Sequence, residues 1–102
     1  KVPVEMEVLA LFPHMHMLGR DFRITAVPPT GEPFSLIWIN DWDFNWQDYY
    51  LYRKPFTLPK GTKLRLESVH DNSGSNPANP NSPPKRITLT ATGRSESGLT
   101  QR

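Results

Sequence analysis

Two of the chain's three histidines lie one residue apart, in Pro13-His14-Met15-His16-Met17-Leu18-Gly19, at the end of an apolar stretch. On an extended strand, side chains at i and i+2 point to the same face, about 6.5–7 Å apart along the chain. Two imidazoles so placed can lean onto one metal ion, with metal–nitrogen distances of about 2 Å. The flanking Met15 and Met17 bring soft sulfur, which suits Cu(I) better than harder ions. On a strand both thioethers point away from the histidine face, and ordinary core filling explains them equally well. The pair has its plain alternative too, as polar strand residues or solvated loop histidines.

His70 closes a strand-like run next to Asp71, whose carboxylate could orient its ring. It reads either as a third ligand or close neighbour of the pair, or as a strand-end histidine hydrogen-bonded to the following loop. The run from Asp41 to Tyr52 interleaves Trp42, Phe44, Trp46, Tyr49, Tyr50 and Tyr52 with acids and amides. Such residues could form a platform for a carbohydrate or aromatic ligand. The core-corner reading is favoured, with Trp42, Phe44 and Trp46 largely buried. Asp71-Asn72-Ser73-Gly74-Ser75-Asn76 is oxygen-rich, yet it lacks the spacing and terminal glutamate of an EF-hand, and Asn and Asp are ordinary turn formers. There is no Ser/His/Asp nucleophile pattern and no phosphate-binding glycine loop.

The elements that must position these residues are short strands. Val4 to Phe12 alternates and then becomes continuously apolar, as in a strand entering a core. If that strand ran on, Val4, Met6, Val8, Ala10 and Phe12 would share a face with His14 and His16. Pro13 cannot donate to a ladder and could end it instead. Gly19-Arg20-Asp21 reads as a turn. Phe22–Val27 and Phe34–Ile39 form a hairpin across Pro28-Pro29-Thr30-Gly31-Glu32-Pro33. Pro55–Thr62 reads as a short extended piece and a turn. Lys63–His70 alternates strictly, with Leu64, Leu66, Ser68 and His70 on one face. Asp71–Pro84 is a long polar loop, Ile87–Thr92 a last strand. With no helical pattern, this predicts an all-β fold, an antiparallel β-sandwich with long irregular loops. A single domain is expected over residues 1–93, followed by a polar, flexible tail over 94–102.

Composition narrows the partners. The 102 residues carry 12 basic and 10 acidic side chains, a balance too weak and dispersed for nucleic acid or an anionic membrane surface. No apolar stretch is long enough to span a bilayer. Without cysteine, disulfides, zinc–thiolate sites and thiol chemistry are excluded. The chain shows no signal peptide, and an excised domain or processed fragment would account for its start within a strand-like pattern.

In context, Phe12-Pro13-His14-Met15-His16-Met17-Leu18-Gly19-Arg20 resembles the H-x-H-x-L-G segment of the copper type II, ascorbate-dependent monooxygenases. That family includes peptidylglycine α-hydroxylating monooxygenase and dopamine β-hydroxylase. Trp42–Gln47, Leu58–Thr62, Asp71-Asn72-Ser73 and Asn79-Pro80-Asn81 resemble its bacterial branch. The resemblance covers roughly residues 4–90 and the C-terminal half of the catalytic core. It implies a jelly-roll-like sandwich of eight or nine strands, in which His14 and His16 are two ligands of the copper that activates dioxygen. It also implies a partner: an N-terminal half-domain carrying a second copper, which this chain does not contain. A complete enzyme of this kind hydroxylates a C–H bond with electrons from ascorbate, in an extracytoplasmic or secreted setting. The family's third ligand is a methionine in a downstream D-E-M segment, whereas the matching stretch here, Thr92–Leu99, has none. Two expectations therefore stand side by side: a one-copper site in the oxygen-activating half of such an enzyme, and a non-catalytic binding module on the same scaffold.

Overall fold

The computed structural model describes residues 1–89 in full and 99–101 as backbone. The described residues are all-β, with six strands in two sheets and one turn of 3-10 helix at Phe44–Trp46. Strands β1 (Met6–Leu11) and β4 (Tyr50–Leu58) pair antiparallel as one sheet. The other sheet has the order β3-β2-β5-β6, formed by β2 (Gly19–Val27), β3 (Phe34–Ile39), β5 (Lys63–His70) and β6 (Leu99–Gln101). Its β2–β3 and β2–β5 pairings are antiparallel, and β5–β6 is parallel.

The expected hairpin is present. β3 keeps its expected limits, and Gly31 in the connecting turn has φ +97°, a conformation that costs glycine nothing. β2 begins earlier than the turn reading of Gly19-Arg20-Asp21 allowed, because these residues pair with the end of β5. The alternation in Lys63–His70 holds: Leu64, Leu66 and Ser68 stand opposite Ala26, Ile24 and Phe22.

β4 is a full strand where only a short extended piece was expected. Its Pro55 lies in the register break between the Val8–Phe56 and Ala10–Leu51 pairs, where its missing N–H costs no ladder bond. In the same break Tyr52 donates its hydroxyl proton to the Leu36 carbonyl, linking the two sheets, and burial pushes the Tyr52 hydroxyl pKa upward. Of the expected last strand, Ile87–Leu89 is irregular and 90–92 lie outside the described residues. The strand that extends the sheet is instead Leu99–Gln101, within the stretch read as a tail.

Two apolar clusters hold the fold. Val2, Ala26, Leu36 and Leu58 form the first between the sheets, with Val8, Leu11, Ile24, Phe56 and Leu64 packed against it. Met15, Phe22 and Trp42 form the second, against Ile24, Ile37, Ile39 and Leu66. The second matters for the site. Its half of the β2–β3–β5 face is covered by the segment after β1 and the loop after β3.

Candidate metal centre

β1 ends at Leu11, and Pro13 begins an irregular segment that turns back into β2, so the histidines do not continue the strand. Alternation nevertheless persists: Pro13 and Met15 are buried, His14 and His16 exposed. The turn closes with the Gly19 amide donating to the His16 carbonyl at 3.0 Å. Of the two alternatives for Pro13, the structure takes the one in which the strand ends before it, and it is Met15 that fills the core.

The rings converge. Their Nε2 atoms lie 3.0 Å apart, with centroids 4.9 Å apart and planes nearly perpendicular at 85°. One Nε2 donates a proton to the other at this distance. Two nitrogens so spaced can equally both reach one ion at about 2.0–2.1 Å, subtending close to a right angle. Neutral imidazole is a good ligand for copper, so these two side chains fit that metal. Met15 is excluded as a ligand by its burial, whereas Met17 is 42% exposed.

His70 ends β5 opposite Gly19. Its Nδ1 is buried with no hydrogen-bond partner, and loss of hydration lowers its pKa from the ordinary 6.5. The anticipated Asp71 contact does not form, because the Asp71 carboxylate instead accepts from the Ser73 amide at 2.9 Å. The Ser73 hydroxyl first, then this amide, and only after them the nearby Arg20 charge, hold the Asp71 pKa down. Among the described residues no group of three His, Cys, Asp or Glu is placed to hold a metal ion.

The aromatic run is mostly on the surface. Trp42 is buried, but Phe44 is 38% and Trp46 77% exposed, correcting the expectation that all three pack inside. The reason is local. The Asp43 carboxylate accepts from the Asn45 amide at 2.8 Å, capping a single 3-10 turn too short to carry its aromatics into the core. Phe44 meets His16 edge-on at 6.1 Å, and Phe12 stacks on Tyr49 at 4.4 Å. Beside them, Met17, Arg20, Asp41, Trp42, Phe44 and Ala78 help line an open cleft of about 530 Å³.

Ala78 belongs to the Asp71–Pro84 loop, whose composition predicts a polar connection outside the core. Its Asn76 is only 4% exposed. The Asn76 carboxamide oxygen accepts from the Arg20 guanidinium and from the Ala78 amide at 3.0 Å, while its nitrogen donates to the Asp71 carbonyl at 2.7 Å. The loop's oxygens are thus occupied by its own turns, as expected of turn formers rather than a calcium site. The place of Arg20 in the cleft wall, held there by its bond to Asn76, was not anticipated, and the Asn-Pro step at Asn76 was the local sign.

No family model, curated protein or solved structure matches this chain.

Proposed function

We propose that the domain binds one copper ion through His14 and His16, on a sandwich akin to the oxygen-activating half of an ascorbate-dependent monooxygenase. The single observation behind this reading is the 3.0 Å separation of the two Nε2 atoms on an exposed turn. When bound, copper supplies one-electron redox chemistry and an affinity for dioxygen. The chain's own residues present two nitrogens, pack Phe44 against one side of His16, and leave an open cleft beside it. A jelly-roll arrangement, a third ligand from Met17 or water, and a second copper on a separate half-domain belong to the same proposal.

A second reading is a non-catalytic binding or interaction module that keeps the scaffold without a working copper centre. The two-histidine donor set favours it, since no third His, Cys, Asp or Glu joins the pair among the described residues.

Copper titration followed by electron paramagnetic resonance tests the copper site. One ion with nitrogen hyperfine structure is expected. His14→Ala or His16→Ala is expected to weaken binding by at least about tenfold, since even an outer-shell partner is worth that much. Binding indifferent to both substitutions would refute the site. Oxygen consumption with ascorbate then separates the readings, because a rate no higher than that of free copper leaves the module.

A further inference from the structure

We infer that Met15 and Gly19 are positioning residues for the histidine pair: Met15, seated over Gly19, is the anchor that turns both Nε2 atoms to the same point. The inference rests on the reading of His14 and His16 as ligands, but its geometry stands without a metal.

The segment has no strand partner to hold its alternation, as β1 ends before Phe12 and β2 begins at Gly19. Pro13 and Leu18 are buried at its two ends, and the Leu18 carbonyl accepts from the Asp71 amide at 2.8 Å; between the two histidines the inward anchor is Met15, 6% exposed and packed with Phe22 and Trp42. Gly19 makes that seat possible. A Cβ at Gly19 would lie 2.8 Å from Met15 Cε, 3.0 Å from its Cβ and 3.1 Å from its Sδ. The φ of Gly19 is not positive, so glycine is needed there for space and not for backbone conformation. Since the Met15 Cβ is itself in the way, rotating the thioether cannot relieve the clash.

Two backbone bonds complete the frame. The Gly19 amide donates to the His16 carbonyl at 3.0 Å, and the Trp42 amide to the Arg20 carbonyl at 3.0 Å, which holds Trp42 beside the start of β2. With Met15 fixed inward between them, residues 14 and 16 must both project outward. Shifting Met15 by the few tenths of an ångström that a Cβ demands moves both neighbours at once, and a 3.0 Å convergence has little tolerance.

The test uses the metal-free protein first. Nuclear magnetic resonance of the wild type is expected to show cross-relaxation between the His14 and His16 rings, and its absence would overturn the inference. Gly19→Ala is expected to abolish that contact and to weaken copper binding about tenfold or more, in the range seen when a ligand's supporting group is removed. Met15→Leu, which keeps an apolar anchor of similar volume, is expected to retain both within about threefold. Circular dichroism and cooperative melting identify variants that stay folded. If Gly19→Ala does not fold, Met15→Ala removes the anchor without a clash and is expected to lose the ring contact. Wild-type copper binding that survives Gly19→Ala, with the ring contact intact, would refute positioning while leaving the copper site. Loss of the ring contact in a protein that never bound copper would do the reverse.

Discussion

Asn76 shows how one side chain can organise a stretch whose composition suggests only solvent. Its carboxamide makes three hydrogen bonds, one from a guanidinium, and it is nearly fully buried. A neutral hydrogen bond contributes about 0.5–1.5 kcal/mol and one to a charged group about 1.5–3. Asn76→Ala is therefore expected to cost about 2–4 kcal/mol in urea unfolding, with Arg20 left without its partner on the cleft wall. A loss below about 0.5 kcal/mol, the ordinary scatter of surface substitutions, would show the network to be ornamental. The same scale explains what was legible in the chain. His14 and His16 could be paired from spacing alone, although they converge from a turn and not from the strand that the spacing first suggested. Asn76 looked like its neighbours, since burial of a loop residue depends on contacts remote in sequence.

At the level of elements, β3 and β5 were readable to the residue: β5 because a face buried on one side forces a period of two, β3 because the proline- and glycine-rich turn before it marks its start. β4 was under-read because a proline interrupts it, and the register break that accommodates Pro55 leaves no local mark in the sequence. The end of β5 carries a pH dependence of its own. His70 loses hydration on folding and its pKa drops below the ordinary 6.5, so the unfolded chain binds the extra proton. Its contribution to stability is complete above that value and declines as pH falls through it. Asp71, held below its ordinary value mainly by the Ser73 hydroxyl and then the Ser73 amide, adds a second decline at lower pH, in the carboxylate range. Melting temperatures recorded from pH 8 to pH 3 are expected to fall in these two stages, and His70→Phe is expected to remove the first. An unchanged first stage in that variant would assign it to another group.

For the whole molecule, the arrangement of the two apolar clusters decides how it fails. β1 and β4 form a two-stranded sheet, which is marginal by itself, so its attachment depends on the cluster around Leu58 and on the Tyr52–Leu36 bond. Ile24 packs against both clusters, which couples the inter-sheet core to the Met15–Phe22–Trp42 group beneath the histidines. That sharing argues for a single cooperative transition rather than early release of the small sheet. Leu58 is 2% exposed, and truncating a leucine so deeply buried costs about 2–5 kcal/mol. Against a net stability of about 5–15 kcal/mol for a domain, Leu58→Ala should lower the urea midpoint markedly while tryptophan fluorescence and far-ultraviolet dichroism continue to move together. Trp46, 77% exposed, provides the contrast. Trp46→Ala should stay within about 0.5 kcal/mol of the wild type, as surface changes do. If instead the two probes separate in Leu58→Ala, with Trp42 emission outlasting the loss of strand signal, then the cluster under His14 and His16 holds together independently of the small sheet. The coupling through Ile24 would then be too weak to make the sandwich one folding unit.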